Sequence, residues 1–146
     1  MSLLILGAAG QVGSALAARA GDEALSLPRA ACDITDRSAV ARAVGAPAVS
    51  IVVNCAAYTA VDRAESDRQC AFAVNSAGAA IVARAAADRG LPLIHLSTDQ
   101  VYAGTGTRPH REDENPAPVN CYGASKAAGD AAVAAANPAH LILRVS

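Results

Sequence analysis

A tyrosine and a lysine four residues apart, Tyr122 and Lys126, open an alanine-rich stretch that is typical of a helix. Residues i and i+4 share one face of a helix, with Cβ atoms about 5–6 Å apart. Because an ammonium near a phenol favours the phenolate, the spacing predicts that Lys126 lowers the pKa of Tyr122 toward the range of a general acid or base. The same spacing occurs by chance on many helices, with the tyrosine half-buried and the lysine solvated. The surrounding sequence has to decide between these two interpretations.

Three glycines, Gly7, Gly10 and Gly13, occur in "GAAGQVG", directly after the first apolar run and at the start of a predicted helix. In such a turn, backbone N–H groups and the positive end of the helix can bind a pyrophosphate, which larger side chains would block. We therefore predict a dinucleotide site formed by Gly7, Gly10, Gln11, Val12 and Gly13. The alternative is that the glycines serve only tight packing of a helix against a strand.

Short apolar runs alternate with longer alanine-rich segments, which predicts repeated β-α units around a parallel sheet. The predicted strands are 3–6, 24–27, 50–53, 91–96 and 140–145, and the predicted helices are 11–20, 37–44, 67–89 and 121–136. Most of the strands are continuously hydrophobic, as expected when helices cover both faces of a sheet. The predicted fold class is α/β, a doubly wound parallel sheet of Rossmann type, with one dinucleotide-binding domain over residues 1–146.

Composition limits the partners that the chain can have. The net charge is −1 and lysine and arginine do not cluster, so we expect neither nucleic acid nor a membrane as partner, and a small molecule instead. The uncharged stretch 43–61 is broken by glycine, proline and polar residues, which favours a buried strand over a membrane span. The cysteines show neither Cys-x-x-Cys pairing nor nearby histidines, which predicts reduced thiols, a cytoplasmic location and no metal site.

The tip of the second strand bears on the choice of cofactor. An acidic residue there would bind the adenosine ribose of NAD. This chain has Pro28 at that position, followed by Arg29, whereas Asp33 comes several residues later. A guanidinium suits a 2′-phosphate, so we predict NADPH as cofactor, with NADH as the alternative. Asp33 could also cap the following helix, a role compatible with cofactor binding.

Six segments occur in order along the chain: "GAAGQVG", "DITD", "VNCAAYTAVDRAE", "HLSTDQVYAG", "REDENPAP" and "YGASKAAGD". Together they resemble the extended short-chain dehydrogenase/reductases, and the resemblance covers the whole chain. Within that family they are most similar to the reductases that form dTDP-rhamnose. The resemblance implies a reductase that uses NADPH on the 4-keto group of a nucleotide-activated deoxysugar. A non-catalytic relative, the regulatory subunit of methionine adenosyltransferase, resembles the same enzymes, so an NADP-binding regulatory protein is the alternative function.

The resemblance also implies roles for single residues. Tyr122 would donate a proton to the ketone oxygen and Lys126 would hold the nicotinamide ribose. Thr98, at the carboxyl end of a predicted strand, would donate a hydrogen bond to the substrate oxygen, with Asp99 as a further substrate contact. The remaining implied cofactor contacts are Asp33 and Ile34 at the adenine and Ala57, Tyr58 and Thr59 behind the pyrophosphate and nicotinamide. We predict purely structural roles for Asn75, Tyr102 and His95, the last as a satisfied core residue.

The sequence departs from its relatives in two further places. Gln100 stands where they usually carry an aromatic residue, which leaves the details of substrate contact open. The chain stops at "LRVS", where they continue with more strands and a substrate region. We therefore expect strand 140–145 to form an exposed apolar edge of the sheet. We also expect the chain alone to bind cofactor weakly and not to turn over substrate. A homodimer is a possible assembly of a longer form.

Overall fold

The computed structural model describes residues 2–106 and 108–146 and contains one five-stranded sheet. The strands are β1 (Ser2–Leu6), β2 (Ala24–Leu27), β3 (Val49–Asn54), β4 (Leu93–Thr98) and β5 (His140–Val145). All pairings are parallel, in the order β2-β1-β3-β4-β5. The predicted doubly wound parallel sheet is confirmed.

Helices flank the sheet on both faces. They are α1 (Gln11–Ala20), α2 (Arg37–Val44), α3 (Val61–Ala64), α4 (Arg68–Phe72), α5 (Ala79–Asp88) and α6 (Cys121–Ala136), with a π-helical segment, Ala73–Gly78, joining α4 to α5. Helix α2 packs against α5, and α5 against α6, so these three share one face of the sheet. Right-handed crossovers then place α1 on the other face.

The core lies between the sheet and the α2, α5 and α6 layer. Leu4 and Leu6 of β1 and Val52 of β3 are fully buried there. The run Arg68–Asp88 is long and apolar enough to cross a membrane by length and composition. Its inward side chains, among them Val82 and Ala86, belong instead to this core, so packing against the sheet accounts for the hydrophobicity of the run.

The order of the strands determines where a ligand can bind. Strand β2 pairs with one side of β1, and β3, the next strand in the chain, pairs with the other side of β1. Leu6 of β1 lies opposite Asn54 of β3. In open α/β sheets, ligands bind outside the carboxyl ends of the strands at such a switch point. The predicted glycine turn follows β1 at this point, and the loop containing Ala57, Tyr58 and Thr59 follows β3.

Strand β5 forms one edge of the sheet. Within the described residues its only neighbour is β4, paired from Leu93–His140 to Thr98–Val145. Alternate side chains of β5, those of Leu141, Leu143 and Val145, are 52, 40 and 46% exposed. An apolar edge is thus present where the sequence predicts one.

Candidate functional site

A cavity of about 670 Å³ lies at the carboxyl ends of the strands, within the size range of small-molecule sites. It brings together the glycine turn, the segment after β2, the loop after β3 and the start of α6. The predicted site residues that line it are Gly7, Gly10, Gln11, Val12, Arg29, Asp33, Ile34, Ala57, Tyr58, Thr59, Tyr122 and Lys126. Gly13, Thr98 and Asp99 lie next to the cavity without lining it.

Close approach of the backbone explains two of the three glycines. Gly7 has a φ of 76°, and a Cβ there would lie 2.6 Å from the backbone of Ala56. A Cβ on Gly13 would overlap the carbonyl oxygen of Gly7, whereas one on Gly10 would lie 3.4 Å from that oxygen. The surrounding backbone therefore leaves no room for a side chain at Gly7 or Gly13, whether or not a ligand is bound. Gly10 lines the cavity.

The N-terminus of α1 faces the same cavity with its backbone donors available. The first N–H groups of a helix have no partner within the helix. Gly10, the N-cap, supplies no capping side chain, and Gln11 and Val12 line the cavity directly. Backbone N–H groups and the positive helix end can hold an anionic group here.

Arg29 and Asp33 meet beyond the tip of β2. Arg29 Nε lies 3.0 Å from Asp33 Oδ2, and the Arg29 side chain is 80% exposed. Asp33 Oδ1 accepts hydrogen bonds from the backbone N–H and the hydroxyl of Thr35 at 2.9 and 2.8 Å, which with the Arg29 contact lower the pKa of Asp33. The possible capping role of Asp33 is wrong, because Asp36 caps α2 by accepting from Ser38 N and Ala39 N.

Asn75 joins the loop after β3 to α6. Its Oδ1 accepts from Tyr58 N at 2.8 Å, and its Nδ2 donates to Tyr58 O and to Ser125 Oγ at 3.0 and 2.9 Å. It is buried within the π-helical segment, a distortion common at functional sites. Asn75 thus has the predicted structural role, and through it fixes a wall of the cavity relative to Tyr122.

Three polar side chains fix the start of α6. Asn120 caps the helix by accepting from Gly123 N at 2.6 Å, and Gln100 Oε1 accepts from Asn120 Nδ2 at 2.9 Å. Glu65 Oε1 accepts from Cys121 N at 2.7 Å, a carboxylate at the positive end of the helix. Gln100 therefore supports the start of the helix that carries Tyr122 and Lys126. Glu65 escaped the sequence reasoning, although its motif, "VNCAAYTAVDRAE", contains it.

Tyr122 and Lys126 both lie on the buried side of α6, but they do not act on each other as expected. Burial raises the pKa of Tyr122 and outweighs the opposing effect of the neighbouring Thr98 hydroxyl, and the charge of Asp99 raises it further. Lys126 Nζ instead donates to the carbonyl oxygen of Leu96, at 2.6 Å. The prediction that Lys126 lowers the pKa of Tyr122 is wrong in this structure.

Lys126 itself is 1% exposed. Burial lowers its pKa from 10.5 to about 8, and the charge of Asp130 opposes the shift. An ammonium with such a pKa keeps most of its charge at neutral pH.

Thr98 and Asp99 lie beside Tyr122. Thr98 is the last residue of β4, in line with its predicted place at the end of a strand. Its hydroxyl donates to Asp99 Oδ1 at 3.1 Å and accepts from Gln100 N at 3.2 Å. The turn Asp99–Val101 packs against the start of α6, where a Cβ on Gly123 would overlap the Gln100 carbonyl. Thr98 and Tyr122 therefore approach one region.

His95 is buried behind the cavity, but it is not the satisfied core residue that the sequence predicts. Its Nδ1 lies 3.2 Å from Asn54 Nδ2, while its Nε2 has no hydrogen-bond partner among the described residues. Burial and the charge of Lys126 lower the pKa of His95 to about 3, so the ring is neutral.

Tyr102 has a structural role, with its hydroxyl 2.7 Å from Arg144 Nη1.

The cysteines form no disulfide with one another. All four cysteines are free thiols, with Cys32 and Cys121 buried, Cys55 partly buried and Cys70 exposed. Across residues 2–106 and 108–146, no three His, Cys, Asp or Glu side chains are placed to hold a metal ion.

The family model described as the RmlD substrate binding domain matches residues 1–146. The chain belongs to this family. A dTDP-4-dehydrorhamnose reductase of Sinorhizobium fredii is 47% identical over 148 residues, covering 100% of this chain and 50% of that protein. This member of the RmlD family thus spans about half the length of the curated relatives that it matches.

Solved structures share the fold of this RmlD family member. A dTDP-4-dehydrorhamnose reductase of Bacillus anthracis in complex with NADP superposes with a TM-score of 0.94 at 38% identity, covering 99% of this chain and 53% of that one. WbmG of Bordetella bronchiseptica in complex with NAD and UDP gives a TM-score of 0.83 at 27% identity, covering 99% and 52%.

Proposed function

We propose that residues 1–146 are the dinucleotide-binding part of a reductase that uses NADPH to convert dTDP-4-dehydrorhamnose to dTDP-rhamnose. One observation carries the proposal: the glycine turn after β1 and the pair Tyr122 and Lys126 line the same cavity at the switch point of the sheet. A phosphate-binding turn, a protonated tyrosine and a buried ammonium in one cavity suit hydride transfer coupled to proton transfer. The relatives named dTDP-4-dehydrorhamnose reductase support this choice of substrate.

Three features of the cavity fit a dinucleotide: the glycine turn, the N-terminus of α1 and the residues that line it after β2 and β3. The backbone is close-packed at Gly7 and Gly13, and the uncapped N-terminus of α1 offers donors to a pyrophosphate. Asp33 and Ile34 line the cavity and would border the adenine, and Ala57, Tyr58 and Thr59 line it after β3, where they would lie behind the pyrophosphate and nicotinamide. NADPH bound in this cavity would supply the hydride that reduces the keto carbon.

Tyr122 is suited to supply the proton. Because its pKa is raised, the phenol keeps its proton at neutral pH and can donate it to the substrate oxygen as that oxygen gains negative charge. The Thr98 hydroxyl, beside Tyr122, would donate a hydrogen bond to the same oxygen, and Asp99 would contact the sugar. The ketone thus becomes a secondary alcohol, with its new O–H proton taken from Tyr122.

Lys126 is positioned to hold the nicotinamide ribose. Its ammonium is buried, lines the cavity and uses one donor on the Leu96 carbonyl, so it has further donors for ribose hydroxyls. In this role Lys126 acts by binding and by its positive charge in the cavity, while Tyr122 carries out the proton transfer.

Arg29 is the residue that would favour NADPH over NADH. Its guanidinium is held by Asp33 in an exposed pair, and such pairs contribute only about 0–1 kcal/mol. A 2′-phosphate, with two negative charges or nearly so, can therefore draw Arg29 away from Asp33 at small cost. The Asp33 carboxylate then remains held by Thr35.

Titration with both cofactors tests the proposed site. We expect the protein to bind NADPH more tightly than NADH, and Arg29→Ala to weaken NADPH binding while leaving NADH binding nearly unchanged. Arg63→Ala is a matched control, since Arg63 forms a similar exposed pair with Asp67 but does not line the cavity. Equal loss for the two cofactors, or tighter NADH binding, would remove Arg29 from the 2′-phosphate site.

A further inference from the structure

A buried carboxylate lies one helical turn beyond Lys126. Asp130 is 3% exposed and follows Lys126 by four residues on α6. Its Oδ2 accepts hydrogen bonds from Ser97 Oγ at 2.9 Å and from Arg144 Nε at 3.0 Å. Ser97 lies on β4 and Arg144 on β5, so contacts from two strands fix the carboxylate next to the lysine.

The neighbouring His95 carries no charge, and its tautomer follows from its contacts. Asn54 Oδ1 accepts from Ala56 N at 3.1 Å, so the amide nitrogen of Asn54 faces His95 Nδ1 and donates to it. The proton of the neutral ring is therefore on Nε2, 3.9 Å from Asp130 Oδ1. Neither of these atoms has a hydrogen-bond partner in the described part of the chain. Oδ1 of Asp130 is thus left without a counterion of its own.

The charged and titratable groups around Lys126 come from each element that packs against it. On α6 these are Tyr122, whose raised pKa keeps it neutral, and Asp130. On β4 it is the neutral His95. On β5 it is Arg144, paired with Asp130, and on the cavity side it is Cys55, whose thiol is kept protonated by burial. Asp130 is therefore the negative group that favours the charged form of Lys126.

We propose that Asp130 is a positioning residue that keeps Lys126 charged in the protein interior, and that Arg144 limits how much of the carboxylate's charge acts on Lys126. The proposal depends on the proposed function only for its catalytic consequence, because the charge of Lys126 can be measured without cofactor or substrate. A charged Lys126 is the form that can donate to ribose hydroxyls and impose a positive potential on the cavity.

Two substitutions separate this role from a merely structural one. Asp130→Asn and Arg144→Gln break the same ion pair, so loss of a structural contact affects both variants alike. Their electrostatic effects on Lys126 are opposite. Asp130→Asn removes the favourable negative charge and leaves a cation nearby, whereas Arg144→Gln removes that cation and leaves the carboxylate facing Lys126.

Lys126 can be titrated directly, since it is the only lysine in the sequence. Protein labelled with ¹³Cε-lysine gives a single lysine side-chain signal, whose chemical shift reports protonation as pH is varied. In the unmodified protein we expect a midpoint at a pH of about 8. The midpoint should fall in Asp130→Asn, rise in Arg144→Gln and return toward the starting value in Asp130→Glu.

Asp88→Asn is the matched control, because it breaks an exposed pair with Arg84 on α5, away from the cavity, and should leave the midpoint unchanged. Midpoints that move in the same direction in Asp130→Asn and Arg144→Gln, or in neither, would overturn the proposal. Amide spectra establish that each variant is folded. If Asp130→Asn does not fold, Arg144→Gln decides alone: a rise supports the proposal, and an unchanged or lower midpoint rejects it. If this NMR test failed while a longer form of the protein still reduced the sugar nucleotide, the proposed reductase function would stand.

Discussion

Replacing Lys126 by methionine should make the protein more stable at neutral pH. Methionine matches the length of the lysine stem and carries no charge, so Lys126→Met removes an ammonium that is 1% exposed in the fold. Residues selected for function are commonly unfavourable for stability, and a buried cation that lines the candidate site is expected to be such a residue.

The size of the effect follows from the pKa of Lys126. An unfolded chain holds this lysine at a pKa of 10.5, and the fold lowers it to about 8. At pH 7, proton linkage between these two values makes the folded state about 3 kcal/mol less favourable than it would be with a neutral side chain. Methionine also loses the hydrogen bond to Leu96, worth about 1 kcal/mol, so the net gain in unfolding free energy is about 2 kcal/mol.

The gain should depend on pH in a defined direction. Between pH 8 and pH 10.5 the unfolded state binds more protons at this position, so the stability of the unmodified protein rises with pH in that interval. The advantage of Lys126→Met is therefore full below about pH 8 and disappears as pH approaches 10.5. Urea unfolding at pH 7 and pH 9.5 measures it, and thermal unfolding at pH 7 should shift upward by about 4–8 °C.

Lys126→Arg is the control, since arginine stays charged across this pH range and gains no such stability. If Lys126→Met were less stable than the unmodified protein at pH 7, or if the difference did not change with pH, the assignment of a costly buried charge to Lys126 would be refuted.

Three further variants test the site. In a turnover-competent longer form, Tyr122→Phe should lower the rate of ketone reduction by about 10²–10⁴, with cofactor affinity nearly unchanged in a fluorescence titration; near-normal turnover would exclude Tyr122 as the proton donor. Gly13→Ala should cost roughly 1–3 kcal/mol of stability in urea unfolding, because its Cβ overlaps the Gly7 carbonyl, while Gly10→Ala, which has room, should unfold like the parent. Arg29→Ala should weaken NADPH binding roughly ten- to a hundredfold, the effect of losing a hydrogen bond to a charged group; an unchanged affinity in direct titration would contradict its role.

Much of the fold follows from the sequence because most of its strands are short, largely apolar runs. Strands β2 and β5 have the predicted bounds, and β4 extends beyond its predicted end to Thr98 because Ser97 and Thr98 pair with Arg144 and Val145. Polar residues at a strand end give no local sign of such pairing. Helix α3 was not predicted, since four residues are too few to form a helix without tertiary contacts.

The candidate site is predictable where its chemistry is local. The glycine turn is contained in one heptapeptide, and the cavity brings it together with Arg29 and the Tyr122 pair as expected. Glu65 and Asn75 support the site through contacts with residues about fifty positions away, at Cys121 and Ser125, which no local pattern encodes.

The direction of the Lys126 side chain could not be predicted from spacing either. The i, i+4 relationship places the Cβ atoms of Tyr122 and Lys126 near one another, but it does not determine where a flexible four-carbon stem ends. The ammonium instead donates to the Leu96 carbonyl of β4, a partner that the spacing does not reveal.

The most direct test of the proposed function is turnover of dTDP-4-dehydrorhamnose with NADPH by a longer form of the protein that contains these 146 residues. Cofactor oxidation would be followed by absorbance and the sugar product identified by NMR. We expect one dTDP-rhamnose to form per NADPH consumed, and Tyr122→Phe to lose that activity. Tight NADPH binding without reduction of the sugar nucleotide, in a folded extended protein, would contradict it and favour a regulatory NADP-binding protein instead.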